Sequence, residues 1–208
     1  MTKQYKYKFR KKELSRTQVK NNILKVLNSA DKESKDFGAK WYEIANDIAK
    51  GLTSEEVNLA QSVGVIAALS PLKSWNQNLK LANAFILDGK RKGHTGVMVK
   101  KADDILSLKN PTTDEVIKIL NGQKIVNFFL NIHYPNKDAA ITIDRHAVGI
   151  ALLGTERIPL LSTEISPTKK QFEFLVHCYQ WAAVESNLSA VQIQAITWEY
   201  FRKLKIKR

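Results

Sequence analysis

Asp144 lies in the run Ile141-Thr-Ile-Asp-Arg-His-Ala147, between an extended apolar triplet and the apolar-rich segment 147–153. A carboxylate there can cap the following helix by accepting backbone N–H bonds. Placed beside a sugar, it can stabilise positive charge developing at the anomeric carbon and orient a water. His146, two residues on, fits either of two roles: a contact to phosphate or substrate in the first helical turn, or a structural histidine hydrogen-bonded near the cap. Twenty-two residues before Asp144 stands Gly122, in Leu120-Asn-Gly-Gln-Lys-Ile125, at the junction of two short predicted helices. A tight turn opened by Gly122 aims successive backbone N–H groups outward, with Asn121, Gln123 and Ile125 beside it as candidate DNA contacts. The N-terminus of the next helix adds partial positive charge, and Lys124 a full one. Such a turn holds a phosphate without reading base sequence.

The combination of a Leu-x-Gly hairpin, a helix, a loop and then apolar-x-Asp-x-His opening another helix resembles the helix-hairpin-helix DNA glycosylase superfamily, of endonuclease III type. Its pattern is Leu-Pro-Gly-x-Gly, a helix, then Val-Asp-Thr-His. Gly122 matches the first hairpin glycine, Asp144 the catalytic aspartate and His146 the histidine after it. Upstream, 65–70 (Val-Ile-Ala-Ala-Leu-Ser) with 75–82 is similar to the family's Leu-Leu-Ser segment and its following helix. Residues 100–106 are similar to the Lys-Ala-x-x-Ile helix before the hairpin. The resemblance covers about 57–154.

Departures from the pattern carry information too. Lys124 replaces the second hairpin glycine. Val126 stands where bifunctional members carry a Schiff-base lysine, and Lys124, about 200° around a helix from it, cannot substitute. The resemblance therefore implies hydrolysis by water at C1′, with Asp144 as the catalytic residue and an abasic site as product. No cofactor and no iron–sulfur cluster are implied. Leu72 falls at the position of the base-displacing residue and would wedge into the stack, with Lys73 and Arg145 touching the backbone. The flipped base needs aromatic and apolar walls, for which Trp41, Tyr42, Trp75 and Trp198 are candidates, with Trp181 and Tyr200 behind them. The compact, lysine-rich chain and altered hairpin also resemble phage members of the superfamily, some of which are proposed to act in thymine hypermodification, changing the base rather than removing it. That is a second reading, and a non-catalytic duplex-DNA-binding protein is a third.

These residues need elements to position them. The 208 residues carry 33 Lys+Arg against 20 Asp+Glu, a net charge of +13, which points to a polyanionic partner such as double-stranded DNA. Glycine and proline are scarce, period-two alternation is short, and apolar residues recur at steps of three and four, as in Phe37, Trp41, Ile44, Ala45 and Ile48. The expected fold is all-α. Helix starts are read at Ser15/Gln18, Thr53/Glu56, Thr112/Glu115 and Ser189/Gln192 as capping boxes, and at Ser166-Pro167. By the resemblance, a hairpin-containing lobe spans 57–154 and a second lobe joins 1–56 to 155–208, with the substrate cleft between them. Residues 1–20 carry eight Lys/Arg and one acid, and 202–208 carry five. These ends are either solvated tails or arms that neutralise phosphates. The Lys90-Arg91-Lys92 loop is a further backbone contact. The single cysteine, Cys178, excludes an internal disulfide and a Cys₄ site, and His94, His133 and His177 lack metal-ligand spacing, so no metal is expected. No 18-residue apolar run occurs, so no membrane span is expected. A monomer in the cytoplasm, nucleoid-associated or in the host cytoplasm if phage-encoded, is the expectation.

Overall fold

The structure, a computed structural model, describes residues 6–138, 140–161 and 164–204. A short hairpin of β1 (Tyr7–Phe9) and β2 (Lys12–Leu14) precedes eleven helices. These are α1 (Arg16–Ser29), α2 (Lys32–Ala39), α3 (Trp41–Lys50), α4 (Leu59–Ala68), α5 (Trp75–Ile86), α6 (Gly96–Ser107), α7 (Thr113–Leu120), α8 (Gln123–His133), α9 (Arg145–Leu153), α10 (Lys169–Ser186) and α11 (Ala190–Lys203). The expected all-helical class holds, with the hairpin as an addition. Ser15/Gln18, Thr112/Glu115 and Ser189/Gln192 form reciprocal capping boxes as read from sequence. Two predicted starts move. Thr53 donates back to the Lys50 carbonyl at 2.7 Å, and α4 begins instead behind an Asn58/Gln61 box. The helix after Ser166-Pro167 is capped by Thr168 with Gln171.

The chain divides into two units, one built from the described residues up to Trp41 together with those from Ile141 onward, the other from Tyr42–Ala140. The sequence reading placed these divisions at 56/57 and 154/155. The packing explains the difference. Helix α9 lies against α1, α10 and α11, and Ala147, Val148, Ile150 and Ala151 belong to their core. Residues of α3 belong with the interior: Asn46 donates to the Ile132 carbonyl at 2.8 Å, and Ser62 donates to the Ala49 carbonyl at 2.6 Å.

In the interior unit α4 is the axis. Ala60 through Leu69 are all buried, and α5, α6, α7 and α8 pack around them. Polar groups on this axis are put to use: Gln61 Nε2 reaches the Leu108 carbonyl at 2.9 Å, and the Ile66 carbonyl accepts from Asn78 at 3.1 Å. Gly64 lets neighbours close in, since a Cβ there would come within 2.7 Å of Val116 Cγ1. In the terminal unit, Val19, Ile23, Val148, Leu175, Tyr179 and Ile193 form the centre. The β-hairpin adds Tyr7, Phe9 and Leu14 to it, with the Tyr7 ring 5.9 Å from that of Phe174. The basic N-terminal segment, over its described part, is therefore a folded edge whose alternate lysines face solvent.

Candidate functional site

Asp144 is the N-cap of α9. Its backbone is extended, which turns the side chain over the first helical turn. Oδ1 accepts from the His146 and Ala147 amides at 2.9 and 2.8 Å. Two of the donors that every helix start leaves unmatched are thus satisfied. Oδ2 accepts from the indole Nε1 of Trp198 at 3.1 Å. Each carboxylate oxygen offers two lone pairs. Oδ1 has both engaged, whereas Oδ2 keeps one beyond its bond to Trp198. Asp144 as a whole is half-buried.

Trp198, half-buried on α11, is held on several sides. Trp41 meets it edge-on with ring centroids 5.7 Å apart. The Arg202 guanidinium lies 4.4 Å from its ring centroid, and the His146 ring 6.2 Å away. Glu199, the next residue on α11, accepts a hydrogen bond from the Trp41 side chain and pairs with Arg202 at 3.7 Å. Burial raises the Glu199 carboxyl above its ordinary range, with Arg202 and Trp41 opposing. Burial likewise lowers the His146 imidazole. Asp144 opposes that shift, and Arg145, Arg157 and Arg202 reinforce it. A neutral imidazole beside the carboxylate, with three guanidinium groups acting on it, makes an anion-attracting setting. Below Asp144, the buried Tyr179 hydroxyl donates to the Ala147 carbonyl at 3.1 Å and braces the first turn of α9.

The turn at Gly122 belongs to the interior unit. It joins α7 to α8 through two residues of positive φ, Asn121 at 42° and Gly122 at 110°. Gly122 is the N-cap of α8 and contributes no side-chain cap bond. Residues 121–124 are exposed, and a Cβ on Gly122 would meet nothing within 4 Å. The first amides of α8 therefore point from an open backbone corner, the geometry that suits an anionic oxygen. Lys101 donates to the carbonyls of Leu120 and Asn121, the latter at 3.3 Å. It satisfies the C-terminal end of α7 and brings a charge to the turn. Ile125 and Val126 are half-buried.

Leu72, also in the interior unit, is 91% exposed with φ of 60°. A branched side chain is rarely held at positive φ, and this one is held out in solvent. Its loop is pinned on both flanks: His94 Nε2 is 2.8 Å from the Pro71 carbonyl, and Lys73 donates to the Gly93 carbonyl at 3.1 Å. The amide of Thr95 donates to His94 Nδ1, which makes Nε2 the donor toward Pro71. In the loop that follows α5, Lys90 pairs with Asp88 at 3.1 Å and Arg91 with Asp103 at 2.7 Å.

The four candidate pocket aromatics separate into two pairs. Trp41 and Trp198 meet beside Asp144. Tyr42 and Trp75 flank Phe128 of the interior unit, at centroid distances of 6.4 and 6.5 Å. Trp181 lies under the Lys20 ammonium at 4.6 Å, and Tyr200 packs on the terminal core. Arg145 is exposed at the start of α9. Sequence reasoning missed Glu199, Arg202, Arg157 and Tyr179. Trp198-Glu-x-x-Arg202 reads on its own as one more amphipathic turn, and only the approach of Trp41 and of α9 to α11 gives it a site. Among the described residues no group of three or more His, Cys, Asp or Glu is placed to hold a metal ion. No described helix is long and apolar enough to cross a membrane.

No curated protein and no solved structure matches this chain. One family pattern does, over residues 6–205, and by that match the chain belongs to a family of unknown function, DUF7178.

Proposed function

We propose that this protein is a DNA base-processing enzyme of helix-hairpin-helix glycosylase type that hydrolyses the N-glycosidic bond of a modified or damaged base in duplex DNA. The observation that carries the reading is Asp144: a half-buried carboxylate with three N–H bonds and one further lone pair on Oδ2, amid arginines. Breaking the bond between C1′ and the base nitrogen leaves positive charge on the deoxyribose. A fixed carboxylate beside C1′ stabilises that charge without reorganising during the reaction. The remaining lone pair can also accept a proton from an attacking water. The water oxygen bonds to C1′, the base departs with the bonding electron pair and takes up a proton, and an abasic sugar remains. Val126 at the family's lysine position supplies no amine, so water is the nucleophile.

Three further features support the reading. The open turn at Gly122 fits a phosphate of the strand. Leu72, held out on a pinned loop, fits the role of the group that fills the gap a flipped base leaves. The net charge of +13 fits a polyanionic substrate.

The test is incubation with duplexes carrying uracil, 5-hydroxymethyluracil, alkylated or oxidised bases, followed by mass spectrometry of bases and nucleosides. Free base with an abasic strand is the expected result. An altered nucleoside without an abasic site would replace excision by base modification, as in phage thymine hypermodification. Unchanged DNA with salt-dependent binding would leave a duplex-binding protein.

A further inference from the structure

Glu199 has no obvious reason to be where it is. Its side chain is only 15% exposed, and a carboxyl so placed gives up hydration that an apolar residue of similar size would not need. Packing alone does not call for a carboxylate at this point of α11. Its two partners share one property. Trp41, whose indole N–H is a donor only, is tied to Glu199 at one end and meets Trp198 edge-on at 5.7 Å. Arg202 is paired with Glu199 and covers the Trp198 ring at 4.4 Å. Each group that Glu199 holds bears on Trp198, and Trp198 is the donor to Asp144 Oδ2.

We infer that Glu199 is a positioning residue for Asp144: by anchoring Trp41 and Arg202 against Trp198, it fixes the indole whose N–H orients the Asp144 carboxylate. The inference rests on the glycosylase reading only for its catalytic readout. The contacts stand independently of what Asp144 acts on. The relay has four links, Glu199 to Trp41 and Arg202, these to Trp198, Trp198 to Asp144, and Asp144 to the first turn of α9. With its backbone bonds alone, Asp144 would be fixed through Oδ1 while Oδ2 lost its partner. The indole removes that freedom, and a misplacement of about 1 Å at a reacting group is enough to cost about 10²-fold in rate.

The test uses the full ¹⁵N-labelled chain. Its four tryptophans give four indole Nε1–H resonances, assigned by single Trp→Phe variants. In Glu199→Ala the Trp41 and Trp198 resonances move upfield and exchange faster with water, while those of Trp75 and Trp181 stay in place. Glu199→Gln keeps an acceptor for Trp41 and restores the wild-type positions. Trp41→Phe keeps most of the packing but loses the donor, and it shifts Trp198 as Glu199→Ala does. On a duplex the protein excises, Glu199→Ala lowers kcat by up to about 10²-fold with KM unchanged, Glu199→Gln recovers most of the loss, and the double variant Trp41→Phe/Glu199→Ala loses no more than either single one. A Trp198 resonance that stays put in both Glu199→Ala and Trp41→Phe overturns the inference, as does a loss confined to KM. Should the wild-type protein excise no base, the glycosylase reading falls, and the resonances alone decide whether Glu199 holds Trp198.

Discussion

The carboxylate of Asp144 and the indole of Trp198, 54 positions apart in sequence, meet in a single hydrogen bond of 3.1 Å. One residue thus does two jobs with separate atoms. Oδ1 closes the start of α9, and Oδ2 is aimed by a tryptophan. A helix cap needs only the first, since Ser, Thr or Asn would serve as well. The second gives the position a charge in a defined direction.

Asp144→Asn separates these jobs. The amide oxygen can take over the two backbone N–H bonds, so the cap persists. The amide nitrogen is a donor, however, and faces the Trp198 N–H donor to donor. Turnover is expected to fall by about 10²–10⁴-fold, with duplex affinity unchanged. Stability drops by about 1–3 kcal/mol from the unmatched indole donor. Asp144→Ala also loses the cap, worth a further ~1 kcal/mol. Single-turnover excision, a binding isotherm and urea unfolding of the three proteins check this. Full turnover in the Asn variant would remove Asp144 from the chemistry.

Asp144 and Gly122 were legible in the sequence because each depends on local rules. An Asp between a loop and an apolar run favours a helix cap, and a glycine between two helices opens a turn. The helices were legible for the same reason, through Ser15/Gln18, Thr112/Glu115 and Ser189/Gln192. Thr53/Glu56 has the same spacing and fails, because Ser54 takes the amides of Glu56 and Val57 into a turn of its own. The β-hairpin was hidden by its brevity: Tyr7, Phe9 and Leu14 are three apolar residues among lysines, and only their burial on α10 shows them to be a strand face. Glu199 and Arg202 were invisible for another reason. Their meaning comes from long-range contacts, and no spacing along α11 announces a tryptophan arriving from α3.

Gly122→Ala tests the proposed phosphate-binding role of this turn through its backbone. A methyl group there meets no neighbour, so crowding is absent. The strain comes from φ of 110°, which a residue with a Cβ rarely adopts. The expected cost is about 1–3 kcal/mol. It is relieved by rotation of the turn, which misaims the first amides of α8. Duplex affinity falls alike for all sequences, because phosphates carry no base identity. Lower stability with unaltered affinity at moderate salt would mean that the turn is structural only.

His146 makes stability depend on pH in a definite direction. Its folded pKa lies below the ordinary value of 6.5, chiefly through burial. As pH falls through 6.5, the unfolded chain takes up the proton before the folded one does. The contribution of the neutral imidazole is therefore complete above that pH and is lost as pH falls toward the folded value. His133, also lowered by burial, acts in the same sense, while Glu199, raised by burial, acts in the opposite one. The difference between wild-type and His146→Gln curves isolates the residue. Melting temperatures from pH 7.5 to 5 are expected to fall more steeply for the wild type. Parallel curves would contradict the burial of a neutral imidazole beside Asp144.

Leu72 offers the cleanest separation of function from stability. At 91% exposure its side chain contributes almost nothing to packing, yet it is held at φ of 60°. Leu72→Gly removes a backbone cost of about 1–2 kcal/mol while loosening the unfolded chain by about 0.4–1 kcal/mol. The net change in stability is expected to stay within about 1 kcal/mol. On the proposed glycosylase reading, base extrusion is expected to respond very differently. With no side chain to fill the vacated stack, a duplex carrying 2-aminopurine beside the target base loses the fluorescence rise that accompanies flipping, and excision slows. Leu72→Met keeps a flexible apolar wedge and retains the signal. A fluorescence rise of wild-type size in Leu72→Gly would mean that another residue enters the stack, and would leave the exposed leucine without a part in the reaction.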